Sequence, residues 1–172
     1  DDGGLETFAR KHLSYEIWML RETASWLTTA HPRATADPTW NAYIESFGIH
    51  ARALGDFLAN RGSRGDDVIA RHYAPTWAGQ DPAPAIAKVV DKQVAHLTSV
   101  RLEKAPINPW GVLAQLNQSV GRFVLAVPEI RRPWFDWFWQ EGGTQTALLP
   151  RRAADARDQM FLGSAGRNCV MS

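Results

Sequence analysis

The side chains of this chain best suited to chemistry are three of its five histidines and one glutamate. His12 and Glu16 lie four residues apart, so on a helix they can touch, and both fall near the centre of a predicted apolar stripe. His50 and His96 lie at the edges of two further stripes. An unpaired buried polar group costs roughly 2–7 kcal/mol, so rings turned inward need partners. These four residues therefore mark the place where a site is expected.

The chemistry of this set indicates either a metal site or ordinary hydrogen bonding. With antiparallel neighbours and a rise of about 1.5 Å per residue, the three histidines lie within about one helical turn of the same depth. Imidazole nitrogens and one carboxylate suit a divalent transition metal such as zinc, iron or nickel, whose bound water becomes a nucleophile at neutral pH. The alternative, which we favour, is that each histidine bonds a backbone carbonyl, a hydroxyl or Glu16. The sequence has no His-x-x-x-His and no Glu-x-x-His motif.

The elements that must position these residues are helices separated by prolines. Apolar residues recur with a helical period in several segments, and the ten prolines lie between these segments or at their first positions. Asp37-Pro38 is typical of a helix start, with Asp as the N-cap and Pro in the first turn. Long helices are predicted over about 5–27, 37–60, 84–102 and 110–127. No segment alternates as a strand does. We therefore predict an all-α fold with an up-down four-helix bundle as its core.

The rest of the chain adds two features to this bundle. A short extra helix with an acidic first turn is predicted over 66–73. Beyond Pro128 the run 134–139 is strongly aromatic, and the remainder is rich in Gly, Ala and Arg. We predict a bundle domain over 1–128 and an irregular aromatic extension over 129–172, which packs on the bundle or forms an interface.

Composition narrows the class of protein. The 172 residues are 45% hydrophobic, enough for a core, and a net charge of +1 gives no case for a general nucleic-acid binder, although local basic patches stay open. A single cysteine excludes an internal disulfide. No run approaches the roughly 20 apolar residues of a membrane span, so we expect a cytoplasmic protein without a membrane partner. The end, Cys169-Val170-Met171-Ser172, has the form of a prenylation box, which we interpret as a chance match.

Three segments of the chain resemble a group of uncharacterised bacterial all-helical proteins. They are Glu45–Leu58 (ESFGIHARALGDFL), Asp66–Ala70 (DDVIA) and Lys92–Arg101 (KQVAHLTSVR). The arrangement is also similar to HEPN domains, which are helical bundles that often dimerise. Many HEPN domains are ribonucleases or toxins of defence systems. The resemblance therefore implies a helical bundle, a homodimer and a role in defence or in a toxin–antitoxin pair.

The catalytic motif of HEPN ribonucleases is incomplete in this chain. That motif places an arginine five residues before a histidine. In this chain the residue five positions before His96 is Asp91, and the residue five positions before His50 is Glu45. A metal-independent ribonuclease needs a histidine as acid or base and a cation near the phosphate. His96 with a neighbouring cation is the best pair, and the cations nearest to the two histidines are Arg52, Lys92 and Arg101.

Three functions fit these observations. The preferred one is a non-enzymatic or regulatory helical protein of bacterial defence or toxin–antitoxin type, which acts through a homodimer or a protein partner. The second is a metal-independent HEPN-like ribonuclease that uses His96 or His50, with RNA as its substrate. The third is a metal-dependent enzyme with a site built from His12, Glu16, His50 and His96.

Overall fold

The fold is all-α, as the sequence predicts. The computed structural model describes residues 1–29, 37–62, 64–80 and 108–140, and in these ranges all regular structure is helical. The predicted helix over 84–102 lies outside the described residues, together with Lys92, His96 and Arg101. The part of the extension beyond 140 also lies outside them. The number of long helices in the bundle therefore stays a prediction.

The first helix is longer than predicted and contains one wide turn. Helix α1 (Asp2–Phe8), a π-helical turn (Ala9–Leu13) and α2 (Ser14–Thr29) follow one another without a break, and we call them the N-terminal rod. The wide turn closes where the backbone N–H of Ser14 donates to the carbonyl of Ala9. The Ser14 hydroxyl donates to the carbonyl of Arg10 at 2.5 Å. This side chain thereby pairs a carbonyl inside the wide turn.

The π turn moves His12 to the outside of the rod, which corrects its predicted place on the apolar face. A π turn spans one residue more than an α turn, so it shifts the phase of the side chains by about 100°. The apolar stripe before the wide turn and the apolar stripe after it therefore have different phases. A helical wheel with one constant period merges the two stripes, and this places His12 near the centre of the merged stripe. In the structure His12 is exposed, and its ring lies 5.0 Å from that of Phe8. The buried residues of α2 include Ile17 and Leu20.

Helix α3 (Pro38–Leu58) begins as predicted. The Asp37 side chain accepts from the backbone N–H of Thr39 at 2.9 Å, and Pro38 occupies the first turn. Rings of α2 and α3 meet at Trp26 and Tyr43, and a second contact joins Glu16 to His50. Because the earlier residue of α2 meets the later residue of α3, the two helices are antiparallel. This agrees with the arrangement assumed for the histidine depths.

The connection after α3 is folded back by side chains rather than by the predicted short helix. Asn60 takes a left-handed φ of 56°, and its amide donates to the carbonyl of Trp77 and accepts from the N–H of Arg71. Only a 3-10 turn, Ala70–His72, forms within the predicted 66–73 helix. The physical reason is local, since the Asp67 carboxylate accepts from the N–H of Arg64 and so stabilises a turn there.

Helix α4 (Pro109–Ala126) completes the described core. The Asn108 side chain caps it by accepting from the N–H of Gly111 at 3.0 Å. Phe123 packs edge-on against Phe57 of α3 at 5.2 Å, and Asn117 faces Arg21 of α2 at 3.4 Å. Helices α2, α3 and α4 therefore share one interior.

The described part of the aromatic extension is helical and packs on this interior. A 3-10 helix (Glu129–Phe135) leads into α5 (Asp136–Gln140), which corrects the irregular structure predicted for this stretch. Phe135 and Phe138 are 1% and 0% exposed and belong to the core. Arg131 donates to the Asp2 carboxylate at 2.7 Å and to the His72 carbonyl at 3.0 Å. One side chain thus joins the beginning of the chain, the loop after α3 and the extension.

Candidate functional site

Glu16 and His50 form a hydrogen-bonded pair between α2 and α3. His50 Nδ1 lies 2.7 Å from Glu16 Oε2, and the two side chains are 11% and 29% exposed. An ionised carboxylate only accepts hydrogen bonds, so the imidazole donates from Nδ1. In the neutral ring this fixes the tautomer and leaves the lone pair on Nε2. Among the described residues, Nε2 has no hydrogen-bond partner.

Aromatic side chains lie beside this pair on the outer side of α2. The Tyr15 ring meets the His50 imidazole edge-on, with centroids 5.8 Å apart and planes at 79°. The Trp18 ring lies 6.1 Å from Tyr15. Tyr15 and Trp18 are both 48% exposed. We call Tyr15, Glu16, Trp18 and His50 together the dyad face.

The position of each dyad-face residue follows from the phase of α2 beyond the wide turn. Ile17 and Leu20 face the core, so Glu16 falls at the edge of the buried side and meets α3. Tyr15 and Trp18 are three residues apart and fall on the side turned away from the core. The ordinary rotation of 100° per residue in an α-helix therefore explains which dyad-face side chains point towards α3 and which point outward. The rotation has to be counted within α2, which begins at Ser14, because the wide turn before it changes the phase.

Of the other predicted site residues, His12 and Arg52 belong to the described part of the chain, and neither joins the dyad face. Among the described residues, no three histidine, cysteine or carboxylate side chains are grouped so that they could hold a metal ion. His12, Glu16 and His50 all belong to that part of the chain, so they form no metal site together. Arg52 Nε lies 3.4 Å from Asp56 Oδ2 on the next turn of α3, in a half-exposed ion pair. His96, Lys92 and Arg101 lie outside the described residues.

A void in the interior of the described part offers no polar group for chemistry. That void measures about 10 Å³ and is lined by apolar side chains, among them Leu54, Phe123 and Trp137. It has the volume of about one water, and an apolar void stays dry. This void therefore holds no site, whereas the dyad face lies at the surface of the described part.

Tyr73 is a buried aromatic residue with a polar hydroxyl, and its role is structural. Its ring is 0% exposed, and its hydroxyl donates to the carbonyl of Leu5 at 3.0 Å. Burial raises the pKa of Tyr73 above its usual value near 10, because the interior disfavours the phenolate. The neutral phenol therefore pins α1 to the loop after α3.

Tyr15 and Trp18 are surface features that the sequence pattern did not single out. Their signal was present, since they are large aromatic residues three apart on the side opposite to Ile17 and Leu20. It could be read only after the phase of the rod beyond the wide turn was known. The pairing of Glu16 with His50 matches the alternative in which a histidine bonds that glutamate.

Comparisons with protein-family models, with curated proteins and with solved structures found no match to this chain. Of the helices in the described ranges, none has the length and apolar character needed to cross a membrane.

Proposed function

We propose that this chain is a regulatory helical protein of HEPN-like type, which acts in bacterial defence or in a toxin–antitoxin pair through its outer surface. The observation that carries the proposal is the exposure of Tyr15 and Trp18, each 48% accessible beside His50. Large aromatic side chains are enriched in binding interfaces, where they supply most of the binding energy. We place the protein in the cytoplasm as a homodimer or as the partner of another macromolecule.

A ribonuclease is the second candidate, and the bond between His50 and Glu16 favours it. A carboxylate that holds Nδ1 at 2.7 Å fixes the imidazole and leaves Nε2 able to take a proton. In such a reaction the 2′-hydroxyl proton passes to Nε2, the 2′ oxygen bonds to phosphorus, and the bond from phosphorus to the 5′ oxygen breaks. The 5′ oxygen takes a proton from water, and the proton on Nε2 neutralises the hydroxide that remains. The cation that this mechanism needs would come from outside the dyad face.

One experiment separates the two candidates. The chain is expressed in a bacterial host, and growth rate and phage plating are measured for the wild type, Trp18→Ala and His50→Ala. A regulatory surface predicts that the wild type alters growth or plating, that Trp18→Ala abolishes the effect and that His50→Ala keeps most of it. Loss only in His50→Ala, with RNA degraded in the presence of a chelator, would favour the ribonuclease. No effect of the wild type on either readout contradicts the defence role.

A further inference from the structure

The aromatic rings of the dyad face are half exposed and do not stack on each other. Trp26 and Tyr43 show the contrast, because their rings stack on each other at 3.9 Å with planes only 6° apart. Tyr15 and Trp18 instead lie 6.1 Å apart with planes at 44°, so neither ring covers the face of the other. Tyr15 contacts His50 only edge to face. Both rings can therefore stack on a planar ligand.

Exposed basic residues lie about one turn before these rings. The wide turn carries Arg10, Lys11 and His12, and all three are exposed. Arg10 is paired with Glu6 at 2.8 Å. Lys11 and His12 form no ion pair with any residue that the structure describes. The N-terminal rod thus presents the exposed Lys11 ammonium about one turn before two half-exposed aromatic rings.

Acidic residues restrict where an anionic ligand can bind on this surface. Glu22 is exposed on α2, one turn beyond Trp18, and it repels a phosphate. Glu16 is held by His50. An anionic group is therefore attracted towards the Lys11 end of the rod, and it is repelled by Glu22 and by the 29% exposed side chain of Glu16.

We propose that this surface binds single-stranded nucleic acid, with bases stacked on Tyr15 and Trp18 and phosphates held near Lys11 and His12. Single-stranded binders combine a cationic track with aromatic rings that stack on bases. A charge of +1 on the whole chain does not oppose this, because the attraction is local. The inference rests on the proposed function, since it names the partner of the same surface.

The test measures anisotropy of a dye-labelled 12-residue oligouridine and of the matching oligothymidine at several salt concentrations, with the full chain. Trp18→Ala should weaken binding roughly 5- to 150-fold, the loss of one base–aromatic contact. Lys11→Ala should lower the slope of log affinity against log salt by about 0.7. The two oligomers separate an RNA ligand from a DNA ligand, and a duplex competitor should not displace either.

Matched controls keep the result specific to this surface. Leu125→Ala removes an apolar side chain that is 64% exposed on α4, and Arg122→Ala removes an exposed cation of the same helix. Both should bind both oligomers like the wild type. Circular dichroism of each variant reports whether the helices stay folded, and Trp18→Phe, which keeps an aromatic ring, should recover most of the affinity.

The inference and the proposed function fail separately. If neither oligomer binds, or if Trp18→Ala and Lys11→Ala bind like the wild type, the inference is wrong. When Trp18→Ala still abolishes the growth or plating effect in that case, the surface acts on a protein partner and the proposed function stands. If the oligomers bind as expected but the wild type changes neither growth nor plating, the inference stands and the proposed function is wrong.

Discussion

Replacing Glu16 with alanine leaves the buried His50 ring without its carboxylate partner. A hydrogen bond to a charged group contributes about 1.5–3 kcal/mol, and a polar group left unpaired in the interior costs about 1–3 kcal/mol. The His50 side chain is only 11% exposed, but Glu16 is 29% exposed, so water recovers part of the loss. We expect Glu16→Ala to lower the free energy of unfolding by about 1–2 kcal/mol.

The assay is urea unfolding followed by circular dichroism, combined with a double-mutant cycle. Glu16→Gln keeps an acceptor oxygen and should cost less than about 1 kcal/mol. Residues in direct contact show coupling of about 0.5–3 kcal/mol, so Glu16→Ala and His50→Ala together should destabilise less than the sum of the two. A coupling energy near zero, or equal effects of Glu16→Ala and Glu16→Gln, would refute the pairing as an energetic link between α2 and α3.

Three further predictions concern Phe138, Tyr73 and Ser14. Phe138→Ala should lower the free energy of unfolding by about 3–5 kcal/mol, measured by urea unfolding, whereas an equal cost for Ile130→Ala, which is 84% exposed, would contradict the packing. Tyr73→Phe removes the hydrogen bond to the Leu5 carbonyl and should lower the free energy of unfolding by about 1 kcal/mol, measured in the same way. Because burial raises the pKa of Tyr73, the neutral phenol contributes fully below pH 10, and wild-type stability should fall more steeply above pH 10 than that of Tyr73→Phe. Ser14→Ala removes the hydroxyl that bonds the Arg10 carbonyl, so amide hydrogen exchange should accelerate in the wide turn and stay unchanged in α4.

The sequence predicted helix boundaries well where they depend on contacts between neighbouring residues. Asp37 followed by Pro38 fixed the start of α3, because the cap depends only on the next two residues. The all-α class followed from apolar periodicity and is confirmed. The 66–73 segment failed because the carboxylate of Asp67 competes for the backbone of its own turn. The apolar periodicity of that segment does not show that a side chain stabilises a turn in place of a helix.

The site was harder to predict, since its geometry depends on register and on long-range pairing. His12 was assigned to the apolar face because a helical wheel has one phase, whereas the wide turn gives the N-terminal rod two. Glu16 and His50 are 34 positions apart, and only the antiparallel docking of α2 on α3 makes them neighbours. Residue types alone gave the candidates but not which of them meet.

The contact of Arg131 with Asp2 has a consequence for the order in which the chain matures during synthesis. The two residues are 129 positions apart, so the first turn of the N-terminal rod cannot acquire this partner until nearly all of the described chain exists. At a translation rate of about 5–20 residues per second, that interval is roughly 6–26 s. Until then the Asp2 carboxylate of the nascent rod lacks its Arg131 partner, and the first turn depends on local contacts such as the bond from the Gly4 N–H to the Asp1 side chain.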